Sequence, residues 1–430
     1  MSTSALWLAL IPVEHREVEM TRTMKVSRRA LGLALFGLVL SACGSGATEG
    51  KGGASGETYK IGINDDFSGP IAFAGIPLEA GFRTYIDYVN KEKGGVNGRQ
   101  IELKTLDNRA DAAVGLSNYQ ELVRDFGAIA TVGYSSSLVW ASTGAAAERS
   151  KVAQIGHSGT NQLGDGTPPK YLFSVTQTQE IGMQAQFEFL DQLASKEPQT
   201  NPKLGIIFLN SASGPEFNAL VDDFAAERGW KVLDPQGVDF AASDCAAQAS
   251  AIAAEDPTFI VSNMTNSGED IVCMKALRAK GWDGPVVNSA YNPEEKTYET
   301  LADPNWYSER VSVWAEDKTE PGAVTLLKRA VKYGHDDKVG GSFSLGYVMG
   351  MLIEAALEKC GAKCDAEAFA GALESVGKID TQGIAGPNFG YTDGKYGHTA
   401  SVENKIFQWD PKLKQSVAVT DWICGVKARC

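Results

Sequence analysis

From Tyr59 onward, short apolar runs with the length of a strand alternate with longer segments in which apolar residues recur at helical spacing. This alternation constrains the fold most. Ile61 and Ile63 begin the first run, and apolar side chains then recur at helical spacing on one face: Leu78, Phe82, Tyr85, Ile86 and Val89. The alternation pauses near Pro198 and Pro202 and then restarts. Strands that alternate with helices pair in parallel, because each helical crossover covers a face of the sheet. The sequence therefore predicts an α/β fold with two Rossmann-like, doubly wound lobes.

The same periodicities predict the individual elements. Apolar runs indicate strands at 101–106, 128–132, 152–155, 204–209, 231–233, 259–261 and 285–287. Helical spacing indicates helices at 112–123, 139–147 and 216–227. A further apolar stripe predicts a helix that belongs to the core: Leu345, Val348, Met349, Leu352, Ile353 and Ala356.

The first 42 residues have the pattern of a signal peptide. Basic residues within 25–29 precede an uncharged run at 30–40, which is about half of the ~20 residues that span a bilayer. The run ends in LSAC at 40–43. This ending resembles a lipobox, in which the cysteine is lipidated and the chain is cleaved before it. Cys43 is therefore the predicted lipidation site, and an ordinary signal peptide with an incidental Cys43 is the alternative.

Residues 43–57 are predicted to be a flexible tether, because they are rich in glycine and contain no apolar period. Three acidic residues before Met20 do not suit a signal n-region. We therefore expect translation to start at Met20 or Met24. The predicted location is extracytoplasmic, with the protein lipid-anchored to the outer face of the cell membrane or periplasmic.

Charge excludes one class of partner. The net charge of −13 becomes −15 once the +2 of residues 1–42 is removed. A surface this acidic repels nucleic acid, so no nucleic-acid partner is predicted. With 43% hydrophobic and 22% charged residues, the composition is that of a globular protein.

Six cysteines remain after Cys43, and an even number outside the cytoplasm favours disulfides. Six cysteines allow 15 connectivities. Their spacing in the sequence favours three local pairs: Cys245–Cys273, Cys360–Cys364 and Cys424–Cys430. A four-thiolate zinc site is the competing interpretation, but the sequence has no CxxC spacing.

Enzyme motifs are missing from the sequence. It contains no GxSxG, no P-loop and no HExxH, and the nearest match to GxSxG, at 342–346, lacks the leading glycine. Of four histidines, only His157 lies near a candidate site, and a single histidine without a partner is more often structural. We therefore predict no enzyme activity, no cofactor and no metal.

Two small polar clusters follow neighbouring predicted strands. GYSSS at 133–137 follows one strand and opens a helix, and IGHSGT at 155–160 ends the next. Backbone N–H groups at a helix N-terminus bind anions, and ligands of open α/β sheets lie outside the carboxyl ends of the strands. The two clusters therefore predict a ligand site. Simple helix capping by the serines is the alternative.

Several short motifs together resemble a known family. SGP at 68–70, AG at 74–75, GGVNGR at 94–99, Asp107 and the serine run occur in this order. They resemble the type I periplasmic binding proteins, in particular the branched-chain amino acid and amide group that serves ABC transporters. The similarity covers most of residues 57–390. Gly94 and Gly95 would end a helix in a left-handed turn, and Asn97-Gly98 would form a hairpin-type turn.

The resemblance implies two lobes that are joined by a three-segment hinge and close on a ligand between them. The implied lobes are: 58–176 plus 318–383, and 177–317 plus 384–430. The implied crossings lie near 176–178, 317–319 and 383–387.

The resemblance also implies which residues bind the ligand. The first lobe would supply Ser135, Ser136, Ser137, Ser158, Gly159 and Thr160, and the second lobe Ser213, Asn266 and Tyr291. Phe67 could add an apolar wall to the site, with a place in the lobe core as the alternative. Amino-acid binders of the family offer a carboxylate to the ligand ammonium where this chain has Ala290-Tyr291. An unpaired buried ammonium costs several kcal/mol, so an amide, a urea-like compound or an aromatic carboxylate stays open as the ligand. Glu216 or Glu269 could replace the missing acid.

The predicted function is that of a solute-binding lipoprotein of an ABC importer. It would capture a small polar solute, such as a branched-chain amino acid, an amide or a related carboxylate, by hinge closure. Its partners would be permease subunits with cytoplasmic ATPases, and the membrane through the lipid anchor. The alternatives are a ligand-sensing receptor of the same fold and an extracytoplasmic amide hydrolase.

Overall fold

The computed structural model describes residues 58–157, 161–164, 167–196, 200–211, 213–264, 267–289 and 294–430. These residues all belong to one compact unit, 54–430. The predicted signal peptide, Cys43 and the tether lie outside the described residues. Among those that are described, no helix has the length and apolar character that crossing a bilayer requires.

The first part of the chain forms a five-stranded parallel sheet. Its strands are β1 Tyr59–Asp65, β2 Ile101–Asp107, β3 Ala130–Gly133, β4 Ala153–Gly156 and β5 Leu172–Ser174. They lie in the order β2-β1-β3-β4-β5. The connecting helices are α1 Ala72–Tyr88, α2 Ala112–Glu121 and α3 Ser137–Ser150, and single π-helical turns extend α1 and α2 at Val89–Lys93 and Leu122–Phe126.

The middle part of the chain builds most of a second sheet. Its strands are β6 Lys203–Leu209, β7 Lys231–Val232, β8 Gln236–Val238, β9 Phe259–Asn263, β10 Val286–Ser289 and β11 Trp306–Arg310. The accompanying helices are α4 Gln179–Lys196, α5 Gly214–Ala226, α6 Ala246–Ala254, α7 Ser267–Ala279 and α8 Glu295–Leu301.

The last part of the chain adds to both sheets. Its helices are α9 Pro321–Tyr333, α10 Phe343–Cys360 and α11 Ala366–Glu374, and its strands are β12 Gly377–Lys378, β13 Gly390–Tyr391, β14 Glu403–Asp410, β15 Gln415–Ala418 and β16 Ile423–Cys424. Strands β14 and β15 extend the second sheet by antiparallel pairing, in the order β15-β14-β11-β10-β9-β6-β7. Strand β8 pairs with β6, β16 pairs with β14, and β12 and β13 form a separate ribbon.

Both faces of the second sheet are covered. Neighbouring residues of one strand face different cores: Ile260 belongs to one hydrophobic cluster and Val261 to the other. Val286 and Val287 divide in the same way. A parallel sheet with apolar side chains on both faces requires helices on both faces, as the alternation in the sequence predicts. The predicted fold class is therefore confirmed.

Helix α10 packs closely across α1 in the first core. A Cβ on Gly346 would lie 1.9 Å from the carbonyl oxygen of Leu78, and one on Gly81 would lie 1.9 Å from that of Phe343. The two glycines therefore let the helix backbones approach each other. The predicted apolar stripe of α10 is buried, which confirms it as core.

The lobe ranges stay a prediction, but side-chain packing bears on the third crossing. Phe389, Tyr391 and Ala400 belong to the first core, whereas Phe407 and Trp409 belong to the second. We propose that the third crossing lies between Ala400 and β14, later than the 383–387 expected from the sequence.

The predicted turns and cysteine pairs have counterparts in the structure. Gly94 and Gly95 have φ angles of 79° and 90°, and Asn97 and Gly98 have φ angles of 49° and 77°. The structure joins the cysteines in the three expected pairs: Cys245–Cys273, Cys360–Cys364 and Cys424–Cys430. Within the described ranges no group of histidines, cysteines and acids could hold a metal ion.

Candidate functional site

The order of the first sheet determines where its loops separate. The chain runs from β1 to β2 on one side and then to β3 on the other side of β1. The loops that follow β1 and β3 therefore leave the sheet in opposite directions, and ligands of open α/β sheets bind in the crevice at such a switch point. These two loops, 66–71 and 133–137, form the floor of the candidate site.

Backbone geometry explains how the serine loop at 133–137 is built. Gly133 and Tyr134 have φ angles of 113° and 60°, so the chain turns sharply at the end of β3. The turn directs the Tyr134 side chain into the core, where its hydroxyl donates to Thr131 Oγ1 at 2.7 Å. Ser136 is extended at the N-cap position, and α3 begins at Ser137.

Asp65, at the end of β1, holds the serine loop. Its Oδ1 accepts the backbone N–H of Ser135 at 2.9 Å, and its Oδ2 accepts the Ser135 hydroxyl at 3.1 Å. Burial raises the pKa of Asp65 to about 7, although hydrogen bonds from Ser135 and Asp66 oppose the shift. No predicted motif included Asp65, although it lies only three positions before Ser68 of the SGP motif.

Asp66 organises the loop between β1 and α1. Its carboxylate accepts the backbone N–H groups of Ser68, Gly69 and Ile71 at 3.2, 2.5 and 2.8 Å. The N–H of Phe67 donates to Asp107 Oδ1 at 2.9 Å, and its half-buried ring packs against the first core. The SGP and Asp107 motifs are therefore parts of one loop structure.

The predicted binding residues fall into two groups. The first group is four serines at the ends of strands or the starts of helices. Three of them are partly exposed, namely Ser135, Ser137 and Ser213, and Ser136 is 5% exposed. Ser158, Gly159, Thr160, Asn266 and Tyr291 lie outside the described residues. Ligand binding by all of these residues stays a prediction.

His157 is buried at the end of β4, next to the serine loop. Its backbone N–H donates to the carbonyl oxygen of Gly133 at 2.9 Å. Burial lowers the pKa of its imidazole to about 4, so the ring is neutral at physiological pH. These contacts support the structural role that the sequence favoured.

Acidic residues of α7 lie at the corresponding edge of the second sheet. Asp270 accepts a hydrogen bond from Asn288 Nδ2 at 3.0 Å, and burial raises its pKa well above the usual range, with the neighbouring Glu269 adding to the shift. Glu269, considered above as a partner for a ligand ammonium, is 1% exposed and accepts the N–H of Ala241 at 2.5 Å. Glu269 is therefore engaged inside the second core.

Arg310 links parts of the chain that belong to different cores. Arg310 is the last residue of β11 and is 2% exposed. Its Nη2 donates to the carbonyl oxygen of Gly341 at 2.9 Å, and Gly341 lies just before α10. Its guanidinium also lies over the Trp314 ring, 4.1 Å from the ring centroid. No sequence motif marks Arg310, because it is a single arginine at the end of a strand.

A family profile described as "Periplasmic binding protein" matches residues 58–413. The chain belongs to the periplasmic binding protein family. The resemblance seen in the short sequence motifs is thus confirmed, and the match includes both loops at the switch point. No curated protein matches the sequence.

Solved structures share the fold of this periplasmic binding protein. A branched-chain amino acid ABC transporter protein from Thermus thermophilus with bound valine has a TM-score of 0.74 and 16% identity, covering 86% of this chain and 97% of that one. A fatty acid ABC transporter substrate-binding protein from Thermomonospora curvata has a TM-score of 0.70 and 20% identity, covering 86% and 93%. A solute-binding protein from R. palustris in complex with benzoate has a TM-score of 0.68 and 15% identity, covering 86% and 98%.

Proposed function

We propose that this periplasmic binding protein is the solute receptor of an ABC importer. It captures a small polar solute between its lobes and delivers it to a membrane permease whose ATPases lie in the cytoplasm. The observation that carries the proposal is the pair of loops at the switch point of the first sheet, inside a chain of this family. Ligands of open α/β sheets bind at this position.

The solved structures of the same fold support a small solute. Their names refer to valine, fatty acid and benzoate, each as the ligand or cargo of that protein. All three carry a carboxyl group, and their apolar parts differ widely. For this chain we propose a small polar solute from the branched-chain amino acids, amides and related carboxylates.

Capture requires no covalent step. The serine loop and residues 158–160 would hold one end of the solute by hydrogen bonds, and Ser213, Asn266 and Tyr291 would contact it when the lobes close. Phe67 would provide an apolar wall. A ligand shifts the protein toward a closed state only through contacts that the open state lacks.

The protein is also proposed to be a lipoprotein that is anchored through Cys43 on the outer face of the membrane. Permeases lie in the membrane, so an anchor keeps the receptor near its partner. Membrane fractionation tests this anchor, because a Cys43→Ser chain that remains in the membrane fraction would contradict it.

A thermal-shift screen of amino acids, amides, ureas and aromatic acids tests the receptor function. At a ligand concentration of ~100 Kd, binding adds about 2.7 kcal/mol to the free energy of unfolding, which raises the melting temperature. We expect Thr160→Val to abolish this increase and to leave the melting temperature of the unliganded protein unchanged.

Ser117→Ala is the matched control, because Ser117 is exposed on α2 and belongs to neither loop of the switch point. It should retain the full ligand-induced shift. A screen in which no compound raises the melting temperature contradicts the proposed function. Release of acid and ammonia from a bound amide would show a hydrolase instead.

A further inference from the structure

The hydrogen bonds of Ser135 are directed inward, toward Asp65. Both the N–H and the hydroxyl of Ser135 donate to the Asp65 carboxylate. A serine hydroxyl has a single hydrogen to donate. While Asp65 is ionised, Ser135 can therefore present only oxygen lone pairs to a ligand in the crevice.

Asp65 also places a negative charge beneath the serine loop. Its carboxylate is fully buried, and its contacts are the backbone N–H of Asp66 and the two donors of Ser135. A ligand oxygen that is hydrogen-bonded to Ser135 Oγ would lie within about 6 Å of this carboxylate. A ligand carboxylate at that position is repelled, whereas a carboxamide N–H donates to the serine oxygen.

The titratable groups around Asp65 do not neutralise this charge. Asp66 follows it as the first residue of the loop after β1, and Asp107 pairs with Asp65 in register on β2. Arg109 is 70% exposed and lies 3.7 Å from Asp107. From the other side, Tyr134 has a pKa raised far above its usual range by burial, and His157 has a pKa lowered to about 4, so both are neutral between pH 6 and pH 8.

We propose that Asp65 is a specificity-determining residue, which makes the switch-point site favour a solute with a primary carboxamide over the corresponding carboxylate. This inference rests on the proposed function and names the solute class for the same site. Asp65 acts through Ser135, and so it is a positioning residue rather than a direct ligand contact.

Protonation of Asp65 should reverse the preference. A protonated Asp65 carries no charge, and its O–H can donate to Ser135 Oγ, which releases the serine hydrogen toward the crevice. Burial raises the pKa of Asp65 to about 7, so this change falls between pH 6 and pH 8. Asp65→Asn should mimic the protonated state, because its amide N–H₂ can donate to Ser135 Oγ in the same way.

Calorimetric titration of the purified chain with matched pairs of probes tests the inference. The pairs are isovaleramide with isovalerate and benzamide with benzoate, each at pH 6 and pH 8. For wild type at pH 8 we expect the amide to bind on the order of 10- to 100-fold more tightly than its acid. At pH 6 the ratio should fall, because acid binding improves while amide binding does not.

Two variants sharpen the result. Asp65→Asn should give a ratio that is lower than that of wild type at pH 8 and independent of pH. Asp125→Asn removes an exposed charge in the π-helical turn that extends α2, and it should keep the wild-type ratio at both pH values. If Asp65→Asn does not fold, the pH dependence of the wild type alone decides the question.

Two outcomes would overturn the inference. One is a wild type that binds the acid as tightly as the amide at pH 8, and the other is a ratio that does not change with pH. Either result leaves the receptor function intact. If no probe binds here and no compound raises the melting temperature in the screen, the proposed function and the inference fail together.

Discussion

Glu309 shows at the residue scale how the second sheet accommodates a buried acid. Its carboxylate lies on β11, is 2% exposed and accepts hydrogen bonds from Gln186 Nε2, at 2.8 Å, and from Gln177 Nε2. Gln177 lies between β5 and α4, where the chain passes from the first sheet to the second. Burial raises the pKa of Glu309 to about 7, despite these two donors.

This shift predicts a pH-dependent stability. An acid with a higher pKa in the folded state holds its proton longer there, so the free energy of unfolding falls as pH rises from about 4.5 through 7. We expect Glu309→Gln to reduce this fall by on the order of a few kcal/mol. Urea unfolding of the unliganded protein at several values between pH 5 and pH 8 measures the effect.

The glutamine variant can keep its hydrogen bonds. The Oε1 atoms of Gln177 and Gln186 are buried without a hydrogen-bond partner, so either amide can turn to accept from the new side chain. Asp65 contributes a pH dependence of the same sign, and the variant should therefore retain part of it. Equal slopes for wild type and Glu309→Gln would contradict the assignment.

At the element scale, the crossing of α1 and α10 depends on two glycines. The backbones approach so closely at Gly81 and Gly346 that no side chain fits between them. Helix α10 is buried along most of its length, so it cannot move away without exposing the first core. The position of α1 matters for the site, because this helix begins directly after the loop organised by Asp66.

We expect Gly346→Ala to destabilise the protein by about 2 kcal/mol, because its Cβ would lie 1.9 Å from a carbonyl oxygen and the helices must separate. Gly371→Ala is the matched control. Gly371 lies in the middle of α11, where an added Cβ meets nothing within 4 Å. Alanine should therefore stabilise the protein there by about 0.5–1 kcal/mol. Denaturant unfolding of both variants measures these effects. A Gly346→Ala variant with the same free energy of unfolding as the wild type would contradict the packing argument.

At the scale of the whole molecule, Arg310 joins regions that pack in separate cores. Its hydrogen bond to Gly341 connects the end of β11 with the start of α10. Glu294 and Glu316 are exposed residues, but partial burial of their carboxyl groups raises both pKa values, and the charge of Arg310 opposes this rise. Arg310 thus compensates acidic groups as well as linking the two regions.

Removal of this guanidinium should destabilise the protein, and more strongly at high pH. For Arg310→Met we expect a loss of about 3 kcal/mol at pH 8 and a smaller loss at pH 5, where Glu294 and Glu316 gain protons more easily. Urea unfolding at the two pH values measures both losses. Arg228→Met is the control, since Arg228 contacts Asp191 and Phe224 on helices that pack together. A loss that does not depend on pH would show that the acids are not compensated by Arg310.

The sequence alone predicted the elements well because their signals are local. The apolar period of α10, the turn at Asn97-Gly98 and the strand at 204–209 each depend on residues within one or two turns of each other. The family motifs were equally local, and they led to the family that the profile match confirmed. The serine run was found for the same reason, as a polar cluster directly after an apolar strand.

Contacts between distant residues could not be predicted in this way. Asp65 and Ser135 are 70 residues apart, and Gln177 and Glu309 are 132 apart. Neither acid stands out from its neighbours in the sequence, because burial and hydrogen bonding arise only when the strands assemble. The antiparallel strands β14 and β15, which complete the second sheet, also lay beyond the elements that periodicity identified.

The sequence by itself determined the α/β class, the parallel strands β1–β4, β6, β7, β9 and β10, and the loops that end the strands of the first sheet. These features follow from side-chain period and turn residues, which act over a few positions of the chain. Only the tertiary structure decided that Asp65 binds the donors of Ser135, and that Arg310 reaches the start of α10. Such contacts depend on burial and on the relative placement of strands, and these are properties of the assembled sheets.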